Sequence, residues 1–279
     1  MATRNLIVNA DDFNSDEERN RGIVEAAEKG IVSSVSVIAN LPFTAESVSR
    51  LKAVFGHRIG VHFNLTKGVP LTKRAATLAD ETGQFFKKKR AWGRALLHQY
   101  DLKEVEEEFA AQISRLRELD IEPDHIDGNN HLHVFPGIAE VTARLARDFS
   151  IKKVRLPLEK FQTPRHYFQP QAFKKFYFRL LAKQASFVFK SFDLLFPEHF
   201  AGIQFPRVSK IESLRKFFYQ LPPGVTELMC HPGYCNAAMP LSSQVKHEEE
   251  FAALTDPEVL AALKREQITL ISFHEMQGL

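Results

Sequence analysis

Apolar and polar positions along the chain follow two periods in turn. Leu6 to Ala10 is a short apolar run that ends in Asp11-Asp12, the pattern of a buried strand. Ser15, with Glu18 three residues on, predicts a capped helix start. The helix carries Ile23, Val24, Ala26 and Ala27 and stops at Gly30. Ile31 to Ala39 is β-branched and predicts a strand. Thr44 to Phe55 has helical period, and Ile59 to Leu65 reads as a strand again. Leu102 to Leu119 predicts a long amphipathic helix, Asp124 to Gly128 a short strand, Gly137 to Phe149 a helix and Lys153 to Leu156 a strand. Later come a strand over Thr226 to Cys230, a helix capped by Asp256-Pro257 and a last strand over Ile268 to Phe273. Strand–helix alternation predicts a parallel sheet in an α/β fold, and the number of strands favours a closed or nearly closed β/α barrel.

Two stretches interrupt the alternation, near 67–100 and 161–207. Long excursions over a barrel mouth often form lids or substrate walls. The expected organisation is therefore one domain over residues 1–279 with two insertions. No Gly-rich phosphate loop follows a strand, which argues against nucleotide binding.

Composition changes this picture little. Hydrophobic residues make up 44% and charged residues 25%, as in ordinary globular chains. No run of 18 apolar residues occurs. Asn5-Leu6-Ile7-Val8 reads as a strand rather than a signal peptide, so a cytoplasmic location is expected. Cys230 and Cys235 suggest neither a disulfide framework nor a zinc motif. The net charge of +3 does not point to nucleic acid. Its distribution says more: Ile151 to Phe192 holds ten Lys or Arg and one acid, Glu159, among many phenylalanines. Such a segment can face an anionic membrane or an acidic substrate, or can simply be a solvated helix with a buried aromatic stripe.

The residues with chemical potential gather where strands end. Asp11 and Asp12 end the first strand, and His62 lies in Gly60-Val61-His62-Phe63. His125, Asp127, Asn129, Asn130, His131 and His133 crowd one strand end and the turn after it. Arg155 ends a further strand, and His231 follows Met229-Cys230. Barrel enzymes place their active sites at the C-terminal strand ends, so one pocket can collect all of these. Carboxylate plus imidazole suits zinc or a borderline ion such as Mn, Co or Ni; magnesium prefers oxygen. Of two adjacent aspartates, one can hold metal while the other acts as base.

Asn9-Ala10-Asp11-Asp12-Phe13, Gly60-Val61-His62-Phe63, His125-Ile126-Asp127-Gly128, His131-Leu132-His133-Val134-Phe135-Pro136 and His231-Pro232-Gly233-Tyr234 resemble, in order, the motifs of YdjC-like carbohydrate deacetylases. That family includes chitooligosaccharide deacetylases and a hopanoid-biosynthesis-associated branch. The resemblance implies a distorted, TIM-like β/α barrel, one divalent metal (Zn, Mg, Mn, Co or Ni) and hydrolysis of acetamido groups on amino sugars such as N-acetylglucosamine. It implies Asp11 as base, Asp12 and His62 as metal ligands, and His231 as the group that protonates the leaving amine or holds the oxyanion. The family's third ligand is usually a histidine, where this chain has Asn129; either Asn129 serves or His131 stands in. Asp127, His125, Arg155 and His133 are expected to contact substrate. Glu198-His199-Phe200-Ala201-Gly202 resembles a segment of the hopanoid-associated branch, which implies a lipid-linked sugar and peripheral contact with the inner membrane face through 161–207. The family also suggests a homodimer. Rival readings are a glycosidase using Asp11 and Asp127, a metal-dependent phosphoesterase, and a sugar-binding protein with a degenerate site.

Overall fold

The first strand, β1 (Arg4–Phe13), is the axis of the architecture. Leu6, Ile7, Val8 and Ala10 are buried on both of its faces, as a parallel strand covered on two sides requires. The structure is a computed structural model and describes residues 3–159, 172–203, 208–235 and 241–277. Among these, β2 (Ser34–Val37), β3 (Ile59–Phe63), β4 (Ile126–Gly128), β5 (His199–Ala201), β6 (Gly224–Cys230) and β7 (Thr269–Ile271) complete a parallel sheet ordered β4-β3-β2-β1-β6-β5. β7 pairs with Asn5 to Ile7 of β1, below the stretch from Asn9 to Phe13 that pairs with β2. Val154 bridges Ile126, and Glu159 bridges Phe200. The segment from 153 to 159 thus carries the sheet from β4 round to β5. The result is the TIM-like α/β barrel that the alternation implied.

Helices cover the outside. α1 (Glu17–Lys29), α2 (Ala45–Phe55), α4 (Leu102–Arg117), α5 (Ile138–Asp148), α7 (Ile211–Tyr219), α8 (Leu241–Leu254) and α9 (Pro257–Arg265) lie between strands. Asp256 caps α9, as the sequence suggested, and Thr44 caps α2. The cap of α1 differs: Asp16, not Ser15, accepts from the Arg19 amide. Ser15 Oγ instead lies 3.2 Å from Lys67 Nζ, at the barrel mouth. The expected strands shrink at their ends, and Lys153 to Leu156 makes single bridges rather than a full strand.

Both excursions contain helices that hydrophobic period alone did not separate from loop. α3 (Lys88–Leu96) lies in the first. The second contains α6 (Ala172–Ser191) and β5; its residues 160–171 and 204–207 lie outside the described set. No described helix is long and apolar enough to cross a membrane. Both cysteines are free thiols, Cys230 buried and Cys235 exposed.

Two close backbone approaches fix the mouth. An added Cβ at Gly60 would sit 2.3 Å from the His125 ring, which stacks on Phe273 at 3.9 Å. At Gly22, inside α1, it would lie 2.5 Å from the Cα of Gly233. Backbone meets backbone there, so only glycine lets α1 seat the segment that carries His231. Gly22→Ala is expected to lower stability by about 1–3 kcal/mol, as overpacking does, and to move the His231 segment. Thermal unfolding measures the first effect. A loss smaller than about 0.5 kcal/mol, the range of neutral surface changes, would show that the two segments separate freely.

Candidate metal and hydrolytic site

β1 ends in a turn that departs from strand geometry. Asp12 has φ 72° and Asn14 φ 75°; Asn130 and His131, after β4, have φ 55° and 58°. Left-handed conformations at non-glycine residues cost about 1–3 kcal/mol each and persist where surrounding bonds hold them. The holding bonds are present. The Ser15 amide donates to the Asp12 carbonyl at 3.1 Å. The Asn14 side chain donates to the carbonyls of Ile38 and Leu41, and Trp92 Nε1 donates to the Asn130 carbonyl at 3.1 Å. The left-handed turn at Asp12 resolves a difficulty in the sequence, since adjacent strand residues point to opposite faces. Here both aspartates reach the mouth.

A cavity of about 390 Å³ opens there. Its walls include Asp11, Asp12, His62, Asn129, His131 and His231, six of the residues singled out from sequence. They also include Lys88, Trp92, Phe178, Lys246 and His247, which sequence motifs did not mark. These five come from α3, α6 and α8, helices outside every motif. His125, Asp127, His133 and Arg155 do not line the cavity. All four are fully buried and, contrary to the expectation of substrate contact, lie beneath its floor.

The floor is organised by one guanidinium. Arg155 Nη1 and Nη2 donate to the two oxygens of Asp11, each at 2.6 Å. Nη1 also meets Asp127 Oδ2 at 2.8 Å, and Nε donates to Glu227 Oε1 at 2.7 Å. Asn9 Nδ2 adds a bond to Asp11 Oδ1 at 2.9 Å. Asp127 in turn holds His62 Nδ1 at 2.7 Å and accepts from Ser36 Oγ at 2.8 Å. Burial works against the charge on Asp127, but Arg155 and His62 outweigh it and keep its carboxyl well below the usual range. Burial likewise lowers His62, yet Asp127, Asp11 and Asp12 win and raise it. His133 Nε2 lies 3.0 Å from the Arg155 carbonyl and is pushed down to about 4 by burial. His125 is held by Asp124 at 2.5 Å and by Ser36.

With Nδ1 held by Asp127, His62 presents Nε2 to the cavity. This carboxylate–histidine pairing is the usual support of a metal-bound imidazole. Nε2 lies 3.6 Å from Asp12 Oδ1, a span that two ligands about 2.1 Å from one zinc ion can make. Burial opposes the charge on Asp12, but Lys67, His62, His231 and Arg19 hold its carboxyl far below the usual range. Among the described residues, Asp11, His62 and Asp127 also form a triad with donor atoms within 4.8 Å of one another. In that triad the guanidinium already occupies both oxygens of Asp11 and one of Asp127, so the cation's place is taken. The donors that remain to fit a divalent ion are His62 Nε2 and Asp12 Oδ1.

The third position differs from expectation. Asn129 Nδ2 donates to Asp12 Oδ1 at 2.8 Å. Its Oδ1 accepts from Thr66 Oγ1 at 2.6 Å and from the Asn130 amide. His131 does not join Asp12 and His62 in any set of three close donors. Burial, Arg155 and His133 push it well below its ordinary value, and its Nδ1 has no partner. On the opposite wall, the amide of His231 donates to Glu250 at 2.6 Å, and its carbonyl accepts from Arg19 at 2.9 Å. Burial, reinforced by Arg19, Lys246 and His247, drives the His231 imidazole well below its ordinary value despite Asp12. It is neutral near pH 7.

Three carboxyl groups share the Arg155 cation, and burial weighs against the charge of the third, Glu227. Burial, with Asp11 and Asp127 nearby, raises Glu227 to about 7 against the pull of Arg155; its Oε2 has no hydrogen-bond partner. A carboxyl raised on folding binds more protons folded than unfolded. The stability it contributes is complete below about pH 4.5 and is lost as pH rises through about 7. Glu227→Gln is expected to flatten the fall in stability between those limits. Urea unfolding at pH 5 and pH 8 tests this, and an unchanged slope in the variant would assign it to another group.

A family model described as YdjC-like protein matches residues 5–265 of the chain. A carbohydrate deacetylase of Geobacillus stearothermophilus is 31% identical over 99% of this chain and 99% of its own length. One from Mus musculus is 32% identical, covering 82% of this chain and 78% of its own length. A crystal structure of an Enterococcus faecalis protein assigned to cellobiose-phosphate cleavage superposes with a TM-score of 0.78. It is 23% identical and covers 98% of both chains, which establishes likeness of fold.

Proposed function

The chain belongs to the YdjC-like family, and on that footing we propose that it hydrolyses the acetamido group of an N-acetylated amino sugar, with a divalent ion bound at Asp12 and His62. One observation carries the reading: Asp11, Asp12, His62 and His231 meet in one cavity at the C-terminal ends of the strands. The names of its relatives point the same way.

A divalent ion held there supplies Lewis acidity toward the amide oxygen and acidifies water. The protein does the rest. Asp11, fixed in orientation by two bonds from Arg155, takes the proton from the attacking water. His62 keeps its ring plane through Asp127. His231 starts neutral, so it serves as an N–H donor to the developing oxyanion rather than as the initial acid. The proton taken by Asp11 returns to the departing nitrogen. Water and amide become acetic acid and amine, which separate at neutral pH as acetate and ammonium.

Acetate release tests the reading, with N-acetylglucosamine oligomers and an N-acetylglucosaminyl lipid as substrates. Zn, Mn, Co, Ni and Mg are added in parallel after EDTA stripping. Release is expected with at least one ion and absent after stripping; release that survives EDTA takes the divalent ion out of the reaction. Asp11→Asn is expected to lower turnover by at least about 10²-fold, the lower range for loss of a general base, with bound metal unchanged. Near-normal turnover in that variant would take the base role away from Asp11.

The described part of α6 supports peripheral contact with an anionic membrane. The helix carries five Lys or Arg and no acid. Tyr177, Leu180 and Phe187 are 39%, 46% and 65% exposed, among the exposed Arg179, Lys183 and Lys190. Phe178, on the same helix, lines the cavity. Apolar anchors between cations suit an anionic bilayer surface, and such contact would bring a lipid-linked sugar to the mouth. Binding to phosphatidylglycerol vesicles at low salt is expected to fall several-fold in Lys183→Glu/Lys190→Glu. Equal binding by both proteins, or none by either, removes this contact from the proposal.

A further inference from the structure

The carboxylate of Asp12 is satisfied at both oxygens by the chain itself. Oδ1 accepts from Asn129 Nδ2 at 2.8 Å, and Oδ2 faces Lys67 Nζ at 2.9 Å. We propose that Asn129 and Lys67 cap the metal site rather than complete it. A divalent ion then gains Asp12 Oδ1 by displacing the Asn129 amide and binds beside the Lys67 ammonium. The proposal rests on the metal position read above at Asp12 and His62.

The orientation of the Asn129 amide follows from its neighbours. A carboxylate only accepts, so the group facing Asp12 must be the NH₂. On the other side, the Asn130 amide and the Thr66 hydroxyl donate, so the group facing them must be the oxygen. Rotating the amide to present oxygen to a metal would set NH₂ against NH₂ at Asn130 and give up the bond to Asp12. Asn129 is buried, so water does not readily replace the lost bonds. A histidine there could give an imidazole nitrogen to the ion; the asparagine is wired the other way round.

Lys67 is held as firmly. Its backbone carbonyl accepts from Asn40 Nδ2 and Asn64 Nδ2 at 2.9 and 2.8 Å. Its amide donates to Asn64 Oδ1 at 3.1 Å, and Asn40 and Asn64 bond each other at 2.7 Å. Gly68 follows with φ 72°. Ser15 Oγ lies 3.2 Å from Nζ. Two buried asparagines thus aim the lysine stem at the mouth, where the ammonium meets Asp12. A compact cation at this position lowers the affinity of the same carboxylate for any other cation. The structure therefore assigns this chain a weak, exchangeable metal site with one imidazole ligand and one carboxylate ligand.

The test uses the full chain after EDTA stripping, with Zn²⁺ and Co²⁺ affinities from competition against a chromogenic chelator and the visible Co²⁺ spectrum as a second readout. Asn129→Ala separates a cap from a ligand: as a cap its loss leaves Zn²⁺ binding as tight or tighter, whereas weaker binding overturns the proposal. Lys67→Met is expected to tighten binding roughly tenfold, as for removal of a like charge in contact with the ligating carboxylate. Lys246→Met removes equal charge from a wall residue that faces Glu250 and is expected to change binding less than twofold. Equal effects of the two lysine variants overturn the part assigned to Lys67. Asn129→His is expected to tighten binding about 10- to 100-fold, the usual scale of changes in a metal's surroundings, and to intensify the Co²⁺ bands; unchanged bands count against a vacant third position. His62→Ala keeps the two readings apart, because undiminished affinity in that variant sinks the metal position itself. Lys67→Gln stands in for Lys67→Met if thermal unfolding shows that the latter misfolds.

Discussion

A buried guanidinium in contact with three carboxylates is the constraint on which the rest depends. Arg155 reaches Asp11 on β1, Asp127 on β4 and Glu227 on β6. β1 and β6 are neighbours in the sheet, but β4 lies three strands from β1, and the side chain ties all three together across the barrel interior. A buried ion cluster contributes little net stability against a well-packed apolar alternative, but removing one member is expensive, about 3–5 kcal/mol. Its value is positional. With Arg155 in place, Asp11 has one orientation, Asp127 has one free direction toward His62, and the His62 ring is turned so that Nε2 faces the cavity. Each bond at the mouth is set by one below it.

Sequence pattern revealed the fold well wherever burial imposes a period. β1, β6 and the helices over Ala45–Phe55, Leu102–Arg117 and Pro257–Arg265 show in the spacing of apolar residues, because strands covered on both faces read as apolar runs and amphipathic helices read as stripes. α3 did not show, and α6 showed only as one of several readings of the basic, Phe-rich stretch. Their faces mix lysine, arginine and aromatic residues, and a stem that lies along apolar surface while its head reaches water blurs the period. The single-residue bridges at Lys153 and Val154 offer too little length for any period.

The site was legible by membership and not by layer. Residue type and strand-end position brought Asp11, Asp12, His62 and His231 to one mouth. The same signals also marked His125, Asp127, His133 and Arg155, which lie one layer deeper. Depth is a tertiary property: whether a histidine at a strand end faces solvent or Phe273 depends on what packs above it, as His125 demonstrates. Lys67 went unnoticed for the opposite reason. A lysine before glycine in a polar loop carries no local signal, and its role appears only once Asn40 and Asn64 aim it at Asp12.

The division of β1 between two neighbours on one edge has a consequence for how the molecule is made. Its upper half borders β2, about 25 residues downstream, while its lower half borders β7 and its other edge borders β6, which bonds it across 221 residues between Asn9 and Cys230. Arg155 meets Asp11 across 144 residues. A ribosome therefore delivers the adjacent aspartates early, yet the groups that neutralise and flank them arrive only when most of the chain has emerged. Until then an apolar strand ending in two carboxylates has an open edge, and pairing over such separations is intrinsically slow. Assembly of this barrel is thus governed by late, long-range closure around its first strand, and the nascent chain is most exposed to misassembly or to a chaperone before β6 appears.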